Sequence, residues 1–299
     1  DNYELAKDQT LPETYKFKAN GNDPIVIHLV HATKPDTNDN NLNKTVTRTI
    51  NVINPDGNTN TITQVAHLRR SGTIDEVTQT ATYTPWITDN WAEYDTPQIS
   101  GYTPSPAKVL ATKVDGNTQN QTVTITYSAD AQKATINYID DTAGKTLHSE
   151  TVNGHTGEAI ADPKEAIANY KKQGYQLASD DLAKGASFDN DDKTDQAFYI
   201  HLNHNIETIT PDKPKTPSDI IPGTGKHYPS GVDKDDLNKT VTRTINVISP
   251  DGKTTTIKQP VTLQRSATVD DVTGQITYKP WSTDKWAEYD TPSISGYTP

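Results

Sequence analysis

The side chains of this chain that could do chemistry are aromatic rings, histidine pairs and scattered carboxylates rather than a catalytic set. Cysteine is absent, which excludes thiol nucleophiles, disulfides and cysteine-ligated zinc. No serine, histidine and aspartate follow the order and turn context of a nucleophile elbow. No glycine-rich loop follows a predicted strand, as a phosphate site would require. The sequence therefore predicts a protein that is not an enzyme and uses no cofactor.

A set of five aromatic residues occurs twice along the chain. Aromatic rings can stack on the C–H faces of sugars, and Tyr and Trp combine an apolar body with a polar edge. A chain poor in Leu and Phe also needs these rings to build its core, so packing is favoured over glycan contact. Trp86, Trp91 and Tyr94 are nevertheless candidates for ligand binding. The set comprises Tyr83, Trp86, Trp91, Tyr94 and Tyr102, repeated as Tyr278, Trp281, Trp286, Tyr289 and Tyr297.

A small cluster of basic and aromatic residues is the second candidate for ligand binding. It consists of Tyr170, Lys171, Lys172 and Tyr175. In an otherwise acidic protein, the two lysines could meet the sialic acid or sulfate groups of a mucin. Lysines at the end of a helix also complement its dipole, and that simpler interpretation is favoured.

Two histidine pairs and one acidic segment have ligand types that metals use, but the sequence predicts no metal site. His28 and His31 are three residues apart on a predicted strand, as are His201 and His204. Side chains with that spacing on a strand point to opposite faces of the sheet. The segment 189–195 is rich in oxygen ligands but lacks the glycine and the distal glutamate of an EF-hand loop.

The elements that position these residues are organised by an internal repeat. The string LNKTVTRTINVI begins at Leu42 and again at Leu237, and the match continues without a gap to Pro299. The offset is about 195 residues, which suits a module of one or two domains rather than a solenoid turn. A weaker echo relates YELAKD at Tyr3 to YQLASD at Tyr175.

The two copies differ at one position that matters for the backbone. Gln79 in the first copy corresponds to Gly274 in the second. If this position has a positive φ, which glycine adopts readily and other residues do not, then Gln79 is mildly strained.

The first copy, 42–128, has strand signals throughout. Apolar residues and an arginine alternate with threonine and asparagine in TVTRTINV, the pattern of a half-buried strand. Pro, Asp and Gly at 55–57 predict a turn. A single helical turn is expected at 91–96, and a hairpin through 115–116 is expected to close the domain.

The next segment, 130–205, is predicted as strand, strand, helix, strand and strand. Its helix is expected to start at Asp162, with Pro163 as the first helical residue and Glu165 completing a capping box. Gly174 should end the helix. A helix packed across a small mixed sheet in this order predicts a β-grasp-like domain. The expected fold class is mainly β with some α, as tandem small β-grasp (ubiquitin-like) domains in an elongated array.

The predicted domain organisation has five segments, and both ends are expected to be cuts within a longer polypeptide. The incomplete end domains should then be less ordered than the middle of the chain. The proline-rich segment is expected to be a semi-rigid spacer. The segments are 1–33, the end of a preceding second domain; 42–128, a first domain; 130–205, a second domain; 207–236, a linker; and 237–299, a truncated first domain.

Charge and hydropathy exclude several kinds of partner. The formal net charge of −11 argues against nucleic acid and against anionic lipid. No apolar run approaches the ~18 residues of a membrane span, so no membrane insertion is expected. Hydrophobic residues make up 31 % of the chain, a low share that favours several thin-cored modules over one large core. The module is expected to be monomeric.

Several motifs in order resemble the Mub repeat of bacterial mucin-binding adhesins. KTVTRTI, DEVT, YTPW and GYTP in 42–128 are similar to the first domain of that repeat, and NYIDD, GKTL and GHTG in 130–205 to its second, MucBP-type domain. The resemblance covers nearly all of the chain except the proline-rich segment. It implies β-grasp variants in both domains and a non-enzymatic adhesin that binds host mucin glycoproteins through their glycans. It also implies a location on the outer surface of gut lactic-acid bacteria, with cell-wall anchoring through a region outside this chain.

Three functions remain open at this stage. Weak contacts with mucin, multiplied along an array, would give avidity without a deep pocket. Some members of the family bind immunoglobulins, and an exposed sheet edge could pair with a strand of such a partner. The third possibility is a passive stalk, with ligand binding elsewhere in the parent protein.

Overall fold

The computed structural model describes residues 2–299, so that Asp1, the first residue of the predicted segment 1–33, lies outside the described residues. Strands dominate, and the described residues form only three short helices. The chain divides into two compact units, one ending at Asp130 and the other spanning Ala131–Pro299. None of the helices in the described residues is long and apolar enough to cross a membrane.

The described residues of the first unit form thirteen strands and one short helix. Its main sheet has the order β10-β13-β4-β5, in which β13 runs parallel to β4 and the other neighbours are antiparallel. A three-stranded sheet has the order β3-β6-β7, and β1-β2, β8-β12 and β9-β11 pair separately. The elements are β1 Tyr3–Leu5, β2 Leu29–His31, β3 Thr33–Pro35, α1 Asp39–Leu42, β4 Asn43–Ile53, β5 Thr59–Arg69, β6 Gly72–Asp75, β7 Ala81–Tyr83, β8 Asp89–Trp91, β9 Tyr94–Asp95, β10 Tyr102–Ser105, β11 Lys108–Val109, β12 Thr112–Val114 and β13 Gln121–Ala129.

The long hairpin of β4 and β5 follows from the alternation in the sequence. Val46, Arg48, Ile50 and Val52 are buried, while the residues between them are not. The two strands are joined by the predicted turn at 55–57, where Gly57 has a φ of +84°. One face of β4 therefore carries the core of this unit.

Two local predictions for the first unit are wrong. The segment 91–96 is not helical, because β8 and β9 are extended and pair with β12 and β11. The hairpin through 115–116 does not form either. β12 pairs with β8, whereas β13 lies between β4 and β10, where Ile125 is fully buried. Burial of β13 in the main sheet decides its partner, which a local turn signal cannot show.

The second unit begins with a four-stranded sheet of order β15-β14-β17-β16, in which β14 and β17 are parallel. The predicted order strand, strand, helix, strand and strand is thus present. The remaining strands form a sheet β18-β21-β22 and a hairpin β19-β20. The elements are β14 Ala131–Asp140, β15 Lys145–His155, α2 Lys164–Lys172, β16 Tyr175–Asp180, β17 Gln196–His204, β18 Ile206–Ile209, α3 Lys234–Leu237, β19 Asn238–Ile248, β20 Thr254–Gln264, β21 Ala267–Asp270 and β22 Ile276–Tyr278.

Helix α2 packs across the sheet through Ile167, which joins a core of ten buried residues. The predicted capping box at its start is wrong: the helix begins at Lys164, and the N-cap is Pro163, which makes no side-chain cap hydrogen bond. The side chain of Asp162 instead pairs with Lys164 Nζ at 3.0 Å. The predicted end is confirmed, since Gly174 follows the C-cap with a φ of +97°.

The stretch 207–236 differs from the expected semi-rigid spacer, because it is packed into the second unit. Its first residues belong to β18, which pairs with β21 of the second repeat copy. Ile209, Ile221, Tyr228 and Val232 are buried together with residues of that copy. The density of prolines predicted an extended chain. The apolar residues between the prolines instead pack into the core of the second repeat copy.

The two positions compared above both have a positive φ, +58° at Gln79 and +74° at Gly274. The backbone N–H of each donates to the carbonyl four residues earlier, Asp75 and Asp270 respectively. Gln79 therefore has the positive φ at which a residue other than glycine is expected to be mildly strained.

Candidate functional site

Trp91, a predicted ligand-binding residue, lies in the core of the first unit. Its side chain is 2 % exposed and packs with Val46, Leu68 and Val114. Its Nε1 donates a hydrogen bond to the carbonyl of Val46 at 3.3 Å. The prediction that Trp91 meets a ligand is wrong, because no face of its ring reaches solvent.

Trp86 and Tyr94 are half-buried and pack against the buried core residues of the same unit. The guanidinium of Arg70 lies 4.4 Å from the centre of the Trp86 ring and 3.9 Å from that of Tyr83. Tyr94 packs on the core around Ile50 and Ile125. Contact of Trp86 and Tyr94 with a ligand stays a prediction.

The same stack of ring, guanidinium and ring recurs in the second unit. Arg265 lies 3.6 Å from the ring centre of Tyr278 and 4.6 Å from that of Trp281. Burial differs between the copies, since Trp286, the counterpart of Trp91, is 38 % exposed. In each copy, the stack packs an arginine, a tyrosine and a tryptophan from neighbouring segments of the chain against one another.

The structure brings the predicted cluster at the end of α2 together, but its members differ in burial and in hydrogen bonding. Tyr175 is 8 % exposed, and its hydroxyl donates to Asp140 Oδ2 at 3.3 Å. Tyr170 is half-buried between the rings of Tyr138 and Tyr175, at centroid distances of 5.4 and 5.7 Å. Burial raises the pKa of both Tyr170 and Tyr175, so that each hydroxyl keeps its proton. Tyr175 has little exposed surface but lines the groove next to Lys171, and its contact with a ligand stays a prediction.

Lys171 and Lys172 are exposed in the last turn of α2. Lys171 lines an open groove of about 230 Å³ together with Gly174, Gln176, Asn205 and Thr224. It also lines a second open groove of about 300 Å³, between the helix and residues such as Leu177 and Asp180 of β16. An ammonium group between two shallow grooves can bind an anionic group on a flexible ligand.

A buried carboxyl lies at the first groove. Asp271 is 2 % exposed, and its Oδ1 has no hydrogen-bond partner among the described residues. Burial raises the pKa of Asp271, and Asn205 Nδ2 donates to its other oxygen at 2.6 Å. The groove is therefore lined by a buried polar group, which is hydrogen-bonded to Asn205 directly after β17.

The structure also reveals a histidine site that the sequence had not indicated. His204 lies between the carboxylates of Asp140 and Asp270. The signal was present in the repeat, because His31 and Asp75 occupy the corresponding positions near the start of the chain. The informative feature is the acidic partner of each histidine, not the spacing of the two histidines within each pair.

The described residues contain no group of three or more His, Asp or Glu side chains that could hold a metal ion. In the acidic segment 189–195, the carboxylates of Asp189 and Asp191 accept hydrogen bonds from the backbone N–H groups of Asp191 and Lys193. His201 bonds through Nδ1 to Asp141 at 2.8 Å. These groups stabilise local turns and strands.

Comparison with known proteins identifies two kinds of domain. A family of Muc B2-like domains matches 37–131 and 232–299, together more than half of the chain. A family described as mucin binding domain matches 132–204.

Curated and solved relatives are similar over parts of the chain. Internalin J of Listeria monocytogenes is 33 % identical over 147 residues, and the match covers 44 % of this chain but 15 % of the relative. A type 2 repeat of the mucus binding protein MUB from Lactobacillus reuteri is 28 % identical, over 56 % of this chain and 85 % of that one, with a TM-score of 0.34. The MucBP domain of an adhesion protein from Pediococcus pentosaceus is 33 % identical, over 29 % of this chain and 99 % of that one, with a TM-score of 0.24.

Proposed function

Because the chain belongs to the family of Muc B2-like domains and carries a mucin-binding domain between two copies of it, we propose that it is a non-enzymatic adhesin repeat that binds mucin glycoproteins. The observation that carries the proposal is the match of 132–204 to the mucin-binding family. The grooves described above are open and shallow, which suits many weak contacts along an array of repeats.

The proposed ligand is an anionic glycan, and the proposed contact is the end of α2. Lys171 and Lys172 are exposed there, and Tyr170 contributes a half-buried ring beside them. The formal net charge of the chain is −11, so sialic acid or sulfate would be repelled from much of the surface. The lysine pair offers these groups a local positive charge.

The same proposal covers the finer features of the fold and the location. The strand order β15-β14-β17-β16 with α2 across it supports a β-grasp fold for 130–205. We propose that such domains repeat in tandem and act as monomeric modules. An adhesin of this kind works outside the bacterial cell, on its surface, with the cell-wall anchor elsewhere in the parent protein.

The test uses the full 299-residue chain on immobilised mucin. The double variant Lys171→Glu/Lys172→Glu should weaken binding by about two- to thirtyfold, since two exposed charge pairs contribute roughly 0.2–1 kcal/mol each. Removal of sialic acid and sulfate from the mucin should weaken binding of the wild-type chain by a similar factor. The control Lys145→Glu/Lys184→Glu changes two exposed lysines elsewhere in the domain and should bind as the wild type does.

A second candidate, binding of a protein partner, is favoured by one observation. β15 is an edge strand of eleven residues, and its outer side pairs with no strand of the described sheet. Such an edge can accept a strand from an immunoglobulin domain or from the mucin polypeptide. Binding that persists on fully deglycosylated mucin, and is equal in the lysine variant, would favour this candidate over glycan binding. Absence of any binding would favour a passive stalk.

A further inference from the structure

Within the second unit, the mucin-binding domain and the module that follows it meet at a joint with a buried histidine. We define the joint as residues 173–175, 204–207 and 270–272. His204 is 7 % exposed. Its Nε2 lies 3.0 Å from Asp140 Oδ2 in the domain, and its Nδ1 lies 2.7 Å from Asp270 Oδ2 in the following module. The imidazole ring of His204 thus connects the domain to the module that follows it.

The protonation state of His204 follows from this geometry. A neutral imidazole has one N–H donor and one acceptor nitrogen, whereas the imidazolium has two donors. Ionised carboxylates only accept hydrogen bonds, so a neutral His204 would leave one nitrogen facing an oxygen without a proton between them. When both carboxyl groups are ionised, only the imidazolium satisfies Asp140 and Asp270 together.

We propose that the joint is pH-dependent: protonated His204 ties Asp140 of the mucin-binding domain to Asp270 of the next module, and loss of that proton loosens the connection. This inference rests on the joint alone and does not require the proposed ligand.

Contacts that do not involve His204 also cross the joint, so its opening would be local rather than complete. The backbone N–H of Asn205 donates to the Gly174 carbonyl at 2.9 Å, and that of Asp271 donates to the Asn205 carbonyl at 3.0 Å. The approach at Gly174 is close, because a Cβ there would lie 2.4 Å from the Asp271 carbonyl oxygen. Lys226 Nζ donates to the carbonyls of Gln173, Asp271 and Val272 at 2.8–2.9 Å.

The first unit contains the same arrangement in reduced form. His31 Nδ1 lies 2.8 Å from Asp75 Oδ2, as His204 does from Asp270 at 2.7 Å. Tyr3 meets the ring of His31 edge-on at 5.3 Å, as Tyr175 meets that of His204 at 5.4 Å. The corresponding backbone bonds, from Ala32 N–H to the Asn2 carbonyl and from Glu76 N–H to the Ala32 carbonyl, are also present. The recurrence of these contacts in both copies indicates a feature of the repeat rather than an accidental contact.

The first joint should respond less to pH than the second. The side chain of His31 is 42 % exposed, against 6 % for His204, and water therefore screens its charge. The comparison of the two joints within one chain is an internal control.

The charged and titratable groups around His204 favour its protonated form. Burial alone would lower the pKa of His204, but the hydrogen bonds to Asp270 and Asp140 outweigh burial and raise it. The Thr142 hydroxyl accepts from the His204 backbone N–H. The titratable and charged groups of the surrounding elements are Asp140 on β14, Tyr175 on β16, Glu207 on β18, Lys226 in the following loop, Asp270 on β21 and Asp271 directly after it.

The signs of these shifts define the pH range in which the joint is strongest. A raised histidine pKa gives a contribution that is complete below about pH 6.5, the unfolded value, and is lost as pH rises through the folded pKa. Burial would raise the pKa values of Asp140 and Asp270, but their hydrogen bonds lower them, so their contribution is complete above about pH 4 and is lost in stronger acid. The joint should be tightest between about pH 4 and pH 6.5.

The decisive measurement is amide hydrogen exchange of the full chain at about pH 5.5, below the unfolded histidine pKa, and at about pH 8.5, two pH units above it, corrected for intrinsic exchange rates. The reporters are the amides of Asn205 and Asp271, and the reference is the core of β17. We expect protection of the two reporters to fall by about five- to tenfold at the higher pH while the reference stays constant. A parallel NMR titration should find the imidazole of His204 protonated at the lower pH, with its pKa raised above the ordinary histidine value.

Three variants separate the causes. His204→Gln should give equally weak reporter protection at both pH values, and Asp270→Asn should shift the titration of His204 to lower pH. Asp271→Asn removes a second titrating group and should leave the pH response in place. The matched control His201→Gln alters a more accessible histidine three residues away and should behave as the wild type does.

Equal reporter protection at both pH values, or a neutral His204 at the lower pH, would overturn the proposal. Should His204→Gln unfold the core of β17, the wild-type titration and the Asp270→Asn variant still decide the question. Neither readout involves mucin, so failure of the proposed function would leave this result intact.

Discussion

The guanidinium of Arg48 lies 5.4 Å from the centre of the Trp91 ring, and both side chains are almost completely buried. Arg48 is satisfied by Gln64 Oε1 and by the carbonyls of Ala92 and Leu110, which keeps its charge hydrogen-bonded inside the first unit. The corresponding pair, Arg243 and Trp286, is 5.7 Å apart, with a much more exposed ring. β12 covers Trp91 through its pairing with β8. Among the described residues, the tryptophan of this motif is enclosed in one copy and partly exposed in the other.

Replacement of the two tryptophans should have unequal effects. Trp91→Ala should lower the free energy of unfolding of the first unit by about 3–5 kcal/mol, because it leaves a large cavity. Trp286→Ala should cost the second unit about 1 kcal/mol or less. Chemical denaturation followed by hydrogen exchange of each unit measures both. Equal costs would contradict the burial difference between the copies.

The strained turn at Gln79 should be improved by glycine. Gln79→Gly should raise the free energy of unfolding of the first unit by about 0.5–1 kcal/mol, since a positive φ costs other residues roughly 1–2 kcal/mol and glycine loses part of that gain in chain entropy. The reciprocal change Gly274→Gln should destabilise the second unit by a similar amount. Thermal unfolding of the two variants tests the pair, and a loss of stability in Gln79→Gly would show that its side-chain bond to the Glu76 carbonyl outweighs the strain.

Tyr228 tests whether the proline-rich stretch belongs to a folded core. Tyr228→Ala should lower the free energy of unfolding of the second unit by about 3–4 kcal/mol, because the ring is 2 % exposed. Tyr228→Phe keeps the ring and loses the hydrogen bond to Glu207, at a cost of about 1 kcal/mol. The exposed neighbour Ser218→Ala is the control and should change little. An unchanged stability of Tyr228→Ala would restore the interpretation of 207–236 as a semi-rigid spacer.

Asp75 should make the first unit sensitive to acid. The backbone N–H of Thr78 and the ring of His31 hydrogen-bond to this carboxylate and hold its pKa well below the usual range. Its contribution is therefore complete above about pH 4, the unfolded value, and is lost as pH falls. In Asp75→Asn the decline of unfolding free energy between about pH 5 and pH 2.5 should be smaller than in the wild type.

Denaturant titrations at several pH values measure that slope, and the exposed Asp23→Asn is the matched control. A wild-type slope in Asp75→Asn would mean that other carboxylates cause the acid sensitivity.

Much of the local structure follows from short-range patterns. Alternation in TVTRTINV predicts β4, and the turn residues at 55–57 predict its hairpin, because both depend on neighbours in sequence. The glycine that ends α2 is similarly local. The partner of β13, by contrast, lies about seventy residues away in the chain. This pairing with β4 forms instead of the hairpin that the turn residues at 115–116 predict.

The same division applies to the candidate site. Residue types mark Trp91 and Tyr175 as large amphipathic groups, but only the packing of distant strands shows that their rings are enclosed. His204 is ordinary in the sequence until Asp140, sixty-four positions before it, and Asp270, sixty-six positions after it, approach its two nitrogens.

The sequence by itself determined the repeat, the mainly β composition, the order of elements in 130–205 and the similarity to mucin-binding repeats, because these are properties of local pattern and residue identity. The tertiary structure decided which aromatic rings form the core, that the proline-rich stretch is packed, and that a histidine joins two carboxylates between consecutive modules. Burial and charge pairing depend on which remote segments meet, and their energies are set by the removal of water from those contacts.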